Sequence, residues 1–249
     1  MSQDVIERLA AREFGNRRRI VLMRHGSVSY FDAEGNPVGS DMVPLNELGR
    51  AQAKAAGDLL KDLRFDRVIV SGLPRTIETA ELVLQHNRHG APPYETWPEL
   101  REIRAARMQD LADADVEAGF LRSFAAPADL GMRFLGGEII GDFVDRVRPA
   151  FQRLVADASW RQALLVLHGG TNRAILSHCL SGGERTFFGT LHQTPACVNL
   201  IDVGETPGDF VVRAMNIAPP DILQAKSRKT TLEELLEHFL KYRRRRQGV

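Results

Sequence analysis

Short apolar runs recur along the chain, and three of them end on polar residues followed by glycine. Arg19 to Arg24 leads into His25-Gly26, Val68 to Val70 into Ser71-Gly72, and Ala163 to Leu167 into His168-Gly169-Gly170. Such continuous runs suit strands buried on both faces, each delivering its last residues to a loop at its carboxyl end. Between them the spacing predicts helices over Asn46 to Leu63, Pro74 to Gln85, Glu138 to Ala156 and Thr171 to Cys179. In the third, Ile140, Phe143, Val144, Val147, Phe151, Leu154 and Val155 fall on one helical stripe. Strands alternating with helices predict an α/β fold of three layers, a mainly parallel sheet with helices on both faces. Ala196 to Val203 and Phe210 to Ile217, separated by Gly-Glu-Thr-Pro-Gly, read as a hairpin added to the sheet edge, after which Pro219-Pro220 closes the core.

Two stretches stand outside this alternation. Ile103 to Leu135 has helical pieces and no strand, and reads as an excursion over the mouth of a pocket. The segment from Asp221 onward carries Thr231-Leu-Glu-Glu234, which reads as a capping box, and then an apolar face of Leu232, Leu235, Leu236, Phe239 and Leu240. A helix this short is marginal alone, so that face is expected to dock on the chain's own body or on a second subunit, making a homo-oligomer. The expected organisation is a single domain over 1–220 with a helical insertion at about 103–135, followed by a helical tail over 221–249.

Composition narrows the partners. The 249 residues are 43% hydrophobic, enough for one sizeable core, and 33 basic against 32 acidic residues leave a formal charge of +1. That balance gives no global field to gather nucleic acid or an anionic membrane, so any preference for anions must be local. Arg243 to Arg246 read as a solvated terminus that complements a helix dipole. Cys179 and Cys197 sit in apolar segments with no second pair nearby, and read as core residues rather than as a disulfide framework or zinc site. The start, MSQDVIERLAAREFGNRRR, puts charges where a signal peptide needs an apolar stretch, and no apolar run approaches membrane-spanning length. A cytoplasmic protein is expected.

The chemistry concentrates at the three strand ends. Arg24-His25-Gly26 sets a fixed cation beside an imidazole, where glycine lets backbone approach a ligand closely. Ser71-Gly-Leu-Pro-Arg75-Thr-Ile-Glu-Thr79-Ala places Pro74 in a first helical turn and Arg75 beside that turn's unpaired N–H groups, a combination that favours phosphate. His168-Gly169-Gly170 offers a second imidazole and free amides. Each motif alone has a plain reading: a solvated loop arginine, an arginine capping a carbonyl, a structural histidine. Two arginines and two histidines converging at carboxyl strand ends, where open sheets bind ligands, would repel one another without an anion between them.

In this order the motifs resemble the histidine phosphatase superfamily, the phosphoglycerate-mutase-like group with an Arg-His-Gly signature, from about Arg19 to Ile217. Further matches are Leu45-Asn-Glu-Leu-Gly49-Arg-Ala-Gln52-Ala, Leu100-Arg-Glu102-Ile, Gly136-Gly137-Glu138, and Leu167-His-Gly-Gly170-Thr-Asn-Arg173. The resemblance implies a phosphoglycerate-mutase-like fold and a two-step displacement, in which His25 takes the phosphoryl group and water removes it. Arg24, Arg75 and His168 would hold the equatorial oxygens, with Gly169 as a backbone donor. Ser27 either lends its N–H or hydroxyl to the phosphate or is a plain turn residue. His25 must be neutral at its attacking nitrogen, so its other N–H needs a carbonyl or carboxylate partner. The departing alcohol needs a proton; Glu102 matches the family's acid position, and Glu99 is its rival. No metal and no cofactor are expected, because the arginines and histidines already supply the positive charge.

The chain departs from the mutase branch, which continues Arg-His-Gly with Glu-Ser and carries His-Gly-Asn-Ser where this chain has His-Gly-Gly. Here Ser27-Val28-Ser29-Tyr30-Phe31 follows instead, and Arg104-Ala-Ala-Arg107-Met-Gln-Asp110 replaces the phosphatases' Gly-x-Trp-Glu-Gly stretch. Arg101, Arg104 and Arg107 either bind a second anionic group or form a basic helix face paired with Asp110, Asp113 and Asp115. The pocket walls are expected from Ser27 to Val43 and from Ile103 to Leu135, including Tyr30, Phe31, Met42, Met108, Phe120 and Phe124. The expected function is a metal-independent phosphomonoesterase, a histidine acid-type phosphatase acting on a small phosphate ester. The alternatives are a phosphomutase or a non-catalytic phosphate-binding scaffold.

Overall fold

The structure is a computed structural model that describes residues 16–111, 116, 119–120, 125–219, 221 and 228–247. The amino-terminal segment before Asn16, together with Asp113, Asp115, Phe124 and Pro220, lies outside the described residues. Six strands form one sheet: β1 (Arg18–Arg24), β2 (Arg67–Val70), β3 (Tyr94–Thr96), β4 (Gln162–Leu167), β5 (Val198–Val203) and β6 (Phe210–Ile217), in the order β3-β2-β4-β1-β5-β6. Neighbours β3, β2, β4 and β1 pair in parallel, whereas β5 pairs antiparallel to β1 and β6 antiparallel to β5. The expected edge hairpin is therefore present, and the sheet is mixed.

The helices are α1 (Glu47–Leu60), α2 (Pro74–Leu84), α3 (Ile140–Ala156), α4 (Gly169–Leu180) and α5 (Thr231–Gln247). Strand side chains alternate between faces, and that alternation divides the core. Ile20, Leu22, Ile69, Leu165 and Leu167 pack with α3 and α4, through Phe143, Val147, Phe151 and Ile175 among others. Val21, Met23, Val68, Val70, Leu164 and Val166 pack on the other face with Ala53, Ala56 and Leu60 of α1 and Ala80 and Val83 of α2. Helices cover both faces, as the continuous apolar runs require.

Local chemistry sets the helix ends. Asn46 Oδ1 accepts from Gly49 N at 2.8 Å, capping α1, and Pro74 opens α2 where its missing N–H leaves no intrahelical bond unmade. The third helix begins at Ile140 rather than at Glu138, whose side chain is spent on Arg146 and Arg104 instead. A Cβ on Gly57 would come 2.8 Å from Val83 O, so glycine permits α1 to lie close against α2.

The fifth helix corrects two expectations. Its capping box is Thr230 with Glu233, one residue ahead of the expected pair: Glu233 N donates to Thr230 Oγ1 and Thr230 N to Glu233 Oε2. Its apolar face docks on the chain's own body, where Phe239 and Tyr242 are buried with Leu111, Phe120 and Leu135, flanked by Leu232, Leu235 and Leu236. Leu240 does not belong to that face; it is 42% exposed. The basic end also engages this chain, with Arg245 donating to the carbonyls of Glu34 and Gly35 and Arg246 to the Tyr242 hydroxyl.

Candidate active site

Strands β1, β2 and β4 end side by side, and their polar termini meet there. His25 leaves β1 anchored at both backbone ends, its N–H on Leu167 O and its carbonyl accepting from Ala196 N. Its Nδ1 lies 2.7 Å from Gly26 O. A carbonyl can only accept, so Nδ1 carries the hydrogen and Nε2 keeps its lone pair. The partner left open by the sequence is thus a backbone carbonyl. Burial, reinforced by the cations Arg75 and Arg24, pushes the His25 pKa well below its ordinary value, so the ring is neutral.

His168 ends β4 and stands at the amino end of α4. The two imidazoles are edge to face, with centroids 5.2 Å apart. Ser71 Oγ at the end of β2 holds His168 Nε2 at 2.7 Å, which leaves Nδ1 buried with no partner. Burial again comes first in pushing the His168 pKa well down, followed by Arg75, His25 and Arg24.

The arginines are pinned at one nitrogen and open at another. Arg24 Nη1 donates to Gln193 O at 2.6 Å and to Thr231 Oγ1 at 2.9 Å, while its Nε is buried without a partner. Arg75 Nη1 donates to Ser40 O at 2.7 Å, and its buried Nε is likewise unpartnered. Buried donors without acceptors are costly, of order 1–3 kcal/mol each, and Arg24 and Arg75 each bring one to the strand ends. The arrangement fits a tetrahedral anion.

Glycines allow the close approach. A Cβ on Gly26 would stand 2.4 Å from Gly49 O, and one on Gly49 would stand 2.1 Å from Ser27 O, so the loop after β1 lies directly against the start of α1. Gly26 N donates to Thr79 Oγ1 and Ser27 N to Gln52 Oε1. The Ser27 amide is therefore committed to holding the loop, which corrects the reading of that N–H as a phosphate donor. Gly169 lies between guanidinium groups; a Cβ there would meet Arg173 Nη1 at 3.3 Å and Arg24 Nε at 3.5 Å.

Glu102 meets the site from below α4. Its carboxylate accepts from Gly170 N at 3.0 Å, Thr171 N at 3.2 Å and its neighbour Ile103 N at 3.0 Å. Glu99 is partly exposed and paired with Arg153, whose guanidinium stacks over Trp97 at 4.2 Å. Geometry thus favours Glu102 over its rival. The loop carrying Glu102 is clamped by Arg146, which donates to the carbonyls of Glu99, Arg101 and Glu102 and pairs with Glu138, a side chain only 5% exposed.

Other expectations resolve unevenly. Residues 101–107 form no helix, and Arg104 pairs with Glu138, an acid outside the expected set. Met42 is 77% exposed, and Phe120 is buried against Phe239 rather than lining a pocket. Phe31 stacks on His238 of α5. A cleft of about 930 Å³ lies at the amino ends of the parallel strands, where Arg19 and Arg213 share Asp202. Among the described residues no group of His, Cys, Asp and Glu is placed to hold a metal ion, and no helix is long and apolar enough to cross a membrane.

Several residues that build the site have no signature of their own in the sequence. Ser71 and Thr79 fall within the segment that carries Arg75, and Gln193 with Asn172 and Asn199 forms a buried amide network behind Arg24. Arg173 was visible one helical turn after Gly169; its Nε donates to Leu191 O, and burial with Arg24 nearby brings its pKa down to about 10.

Comparison with known proteins agrees with this geometry. The sequence profile of the histidine phosphatase superfamily (branch 1) matches residues 20–218. The chain is 44% identical to the fructose-2,6-bisphosphatase TIGAR B of Danio rerio over 73 residues, 29% of this chain and 28% of that one. It is 30% identical to the 2,3-bisphosphoglycerate-dependent phosphoglycerate mutase 2 of Gloeobacter violaceus over 161 residues, 63% of this chain and 73% of that one. The solved mycobacterial glucosyl-3-phosphoglycerate phosphatase superposes with a TM-score of 0.64 at 26% identity, covering 80% of this chain and 99% of that one. The chain spans less than half the length of several curated relatives it matches.

Proposed function

The chain belongs to the histidine phosphatase superfamily, and from that premise we propose that it is a phosphomonoesterase working through a phosphohistidine at His25, without a metal. The observation that carries the reading is the neutral Nε2 of His25, freed by the bond from Nδ1 to Gly26 O, in a ring that lies against His168 and feels the charges of Arg75 and Arg24, three residues that each keep a buried nitrogen without a partner. In the first step Nε2 attacks phosphorus, the P–N bond forms and the P–O bond to the alcohol breaks. Charge spreads over the three equatorial oxygens, where Arg24, Arg75 and the open nitrogen of His168 donate. Glu102 gives a proton to the departing oxygen. In the second step water attacks phosphorus, Glu102 takes its proton, and the P–N bond breaks to return neutral His25 and free phosphate.

The substrate class in this reading is a small phosphate monoester, because a diester's second substituent would fill an oxygen position that the arginines hold. A cytoplasmic location belongs to the same reading, supported by two free, buried cysteines. Similarity to a phosphoglycerate mutase keeps a second reading in view, in which the phosphoryl group passes to a second alcohol.

The test is rapid quenching during turnover of p-nitrophenyl phosphate. Acid-labile phosphate on His25, lost in His25→Ala along with turnover, is the expected outcome. Trapping on His168 instead would reverse the roles, and with a monophosphate that carries a second hydroxyl as substrate, isomerised ester without free phosphate would select the mutase.

A further inference from the structure

The helix α5 lies outside the segment matched by the family profile, residues 20–218, yet its first residue touches the site. From that contact we infer that Thr231 is a positioning residue for Arg24, acting in the phosphoryl transfer proposed above and resting on that reading.

The two hydrogens on Arg24 Nη1 have two acceptors, Gln193 O at 2.6 Å and Thr231 Oγ1 at 2.9 Å. With Nη1 satisfied on both sides, the guanidinium plane is fixed and its other edge, which begins at the partnerless Nε, lies beside Gly169 at the start of α4. That edge has the parallel N–H pair suited to two oxygens of one phosphate. Arginine side chains carry about 2 kcal/mol of rotamer entropy, so an edge already held before the anion arrives binds it with less loss of freedom.

The Thr231 hydroxyl is free for this task because Thr230 caps the helix. The helix itself is anchored well away from the contact. Phe239 and Tyr242 are buried in the cluster with Leu111, Phe120 and Leu135, His238 stacks on Phe31, and Arg245 holds the carbonyls of Glu34 and Gly35. A hydroxyl on a helix docked by its far end is a fixed acceptor, which a hydroxyl on a loose tail would not be.

The experiment compares Thr231→Val and Thr231→Ser in the full chain, with p-nitrophenyl phosphate as substrate and inorganic phosphate as competitive inhibitor. Valine keeps the shape and removes the acceptor; serine keeps the acceptor. Loss of one hydrogen bond to a charged group predicts that Thr231→Val lowers kcat/KM by about tenfold, with a rise in KM. Inorganic phosphate should bind correspondingly more weakly, the melting temperature should stay within a few degrees, and Thr231→Ser should lie within about twofold of the parent. Thr231→Val with unchanged kinetics overturns the inference. So does equal damage from valine and serine, which would mean that the side chain acts through packing. If the parent chain shows no turnover, the phosphatase reading fails separately, and the inference then stands or falls on calorimetric affinity for inorganic phosphate, weaker in Thr231→Val and restored in Thr231→Ser.

Discussion

Glu102 Oε2 accepts from Gly170 N at 3.0 Å, so the carboxylate proposed as proton donor also closes the amino end of the helix that follows His168. One side chain thereby ties acid and phosphate pocket into a single unit. A Cβ on Gly170 would fall 2.4 Å from Glu102 Oε1, the movable end of a flexible side chain. Gly170→Ala is therefore expected to displace the acid while leaving the fold intact. Glu102→Gln and Gly170→Ala should both slow esters of poorly acidic alcohols, by about 10²-fold for Glu102→Gln, and slow p-nitrophenyl phosphate much less. Equal losses on both substrates would show that Glu102 acts only as a helix cap.

The buried imidazoles predict an acid-side loss of stability. Burial and neighbouring cations hold His25 and His168 well below their ordinary 6.5. As pH falls through 6.5 the unfolded chain takes up protons that the folded chain refuses. Their contribution is thus fully present above 6.5 and is lost toward the depressed folded values, at up to about 1.4 kcal/mol per pH unit for each ring. Urea midpoints measured from pH 7 to pH 5 should fall, and His25→Ala should reduce the slope. The acid limb of kcat/KM should likewise lie well below 6.5, because the attacking ring stays neutral there; a limb at 6.5 would contradict this environment.

Chelator treatment should leave turnover unchanged. The positive charge at the proposed transition state comes from Arg24, Arg75 and His168, which removal of a metal does not alter. Activity lost to EDTA and restored by magnesium or zinc would refute the metal-free reading.

The docking of α5 has a measurable strength. Phe239 is fully enclosed between Phe120, Tyr242 and their neighbours, so Phe239→Ala should destabilise the helix's attachment by about 3–5 kcal/mol. Limited proteolysis should then cut between the end of β6 and α5 in the variant sooner than in the parent. Leu240→Ala, on the exposed side, should change cleavage little.

Strands and the arginines and histidines gathered at their ends were legible because both leave one-dimensional signatures. A strand buried on two faces is a continuous apolar run, and Arg24, His25, Arg75 and His168 sit where such runs stop. Partners of those residues were not legible. His25 is oriented by a backbone carbonyl, which every residue possesses, and Arg24 by a carbonyl and a hydroxyl, the latter 207 positions away. The cap of α5 was misread by one residue because Thr230 and Thr231 each precede a glutamate by three positions, and sequence spacing alone cannot tell the two apart. Leu240 was misassigned for a related reason: helical spacing admits both Leu240 and Tyr242 to the apolar stripe, and only docking against Phe120 and Leu135 selects the tyrosine.

The position of β1 in the sheet governs how the molecule is made. The strand that carries His25 is synthesised first, but its two partners are β4 and β5, so it has none until Gln162 has left the ribosome. At 5–20 residues per second that delay is on the order of ten seconds. Throughout it the chain exposes Ile20-Val21-Leu22-Met23, an unpaired β-forming segment of the kind that nucleates aggregation. Arg17, Arg18 and Arg19 on one side and Arg24 on the other bracket that segment with charge, as gatekeepers do. Arg24 therefore guards the nascent strand before it takes up its proposed place in the site, and replacing it by a neutral residue should lower soluble yield as well as turnover.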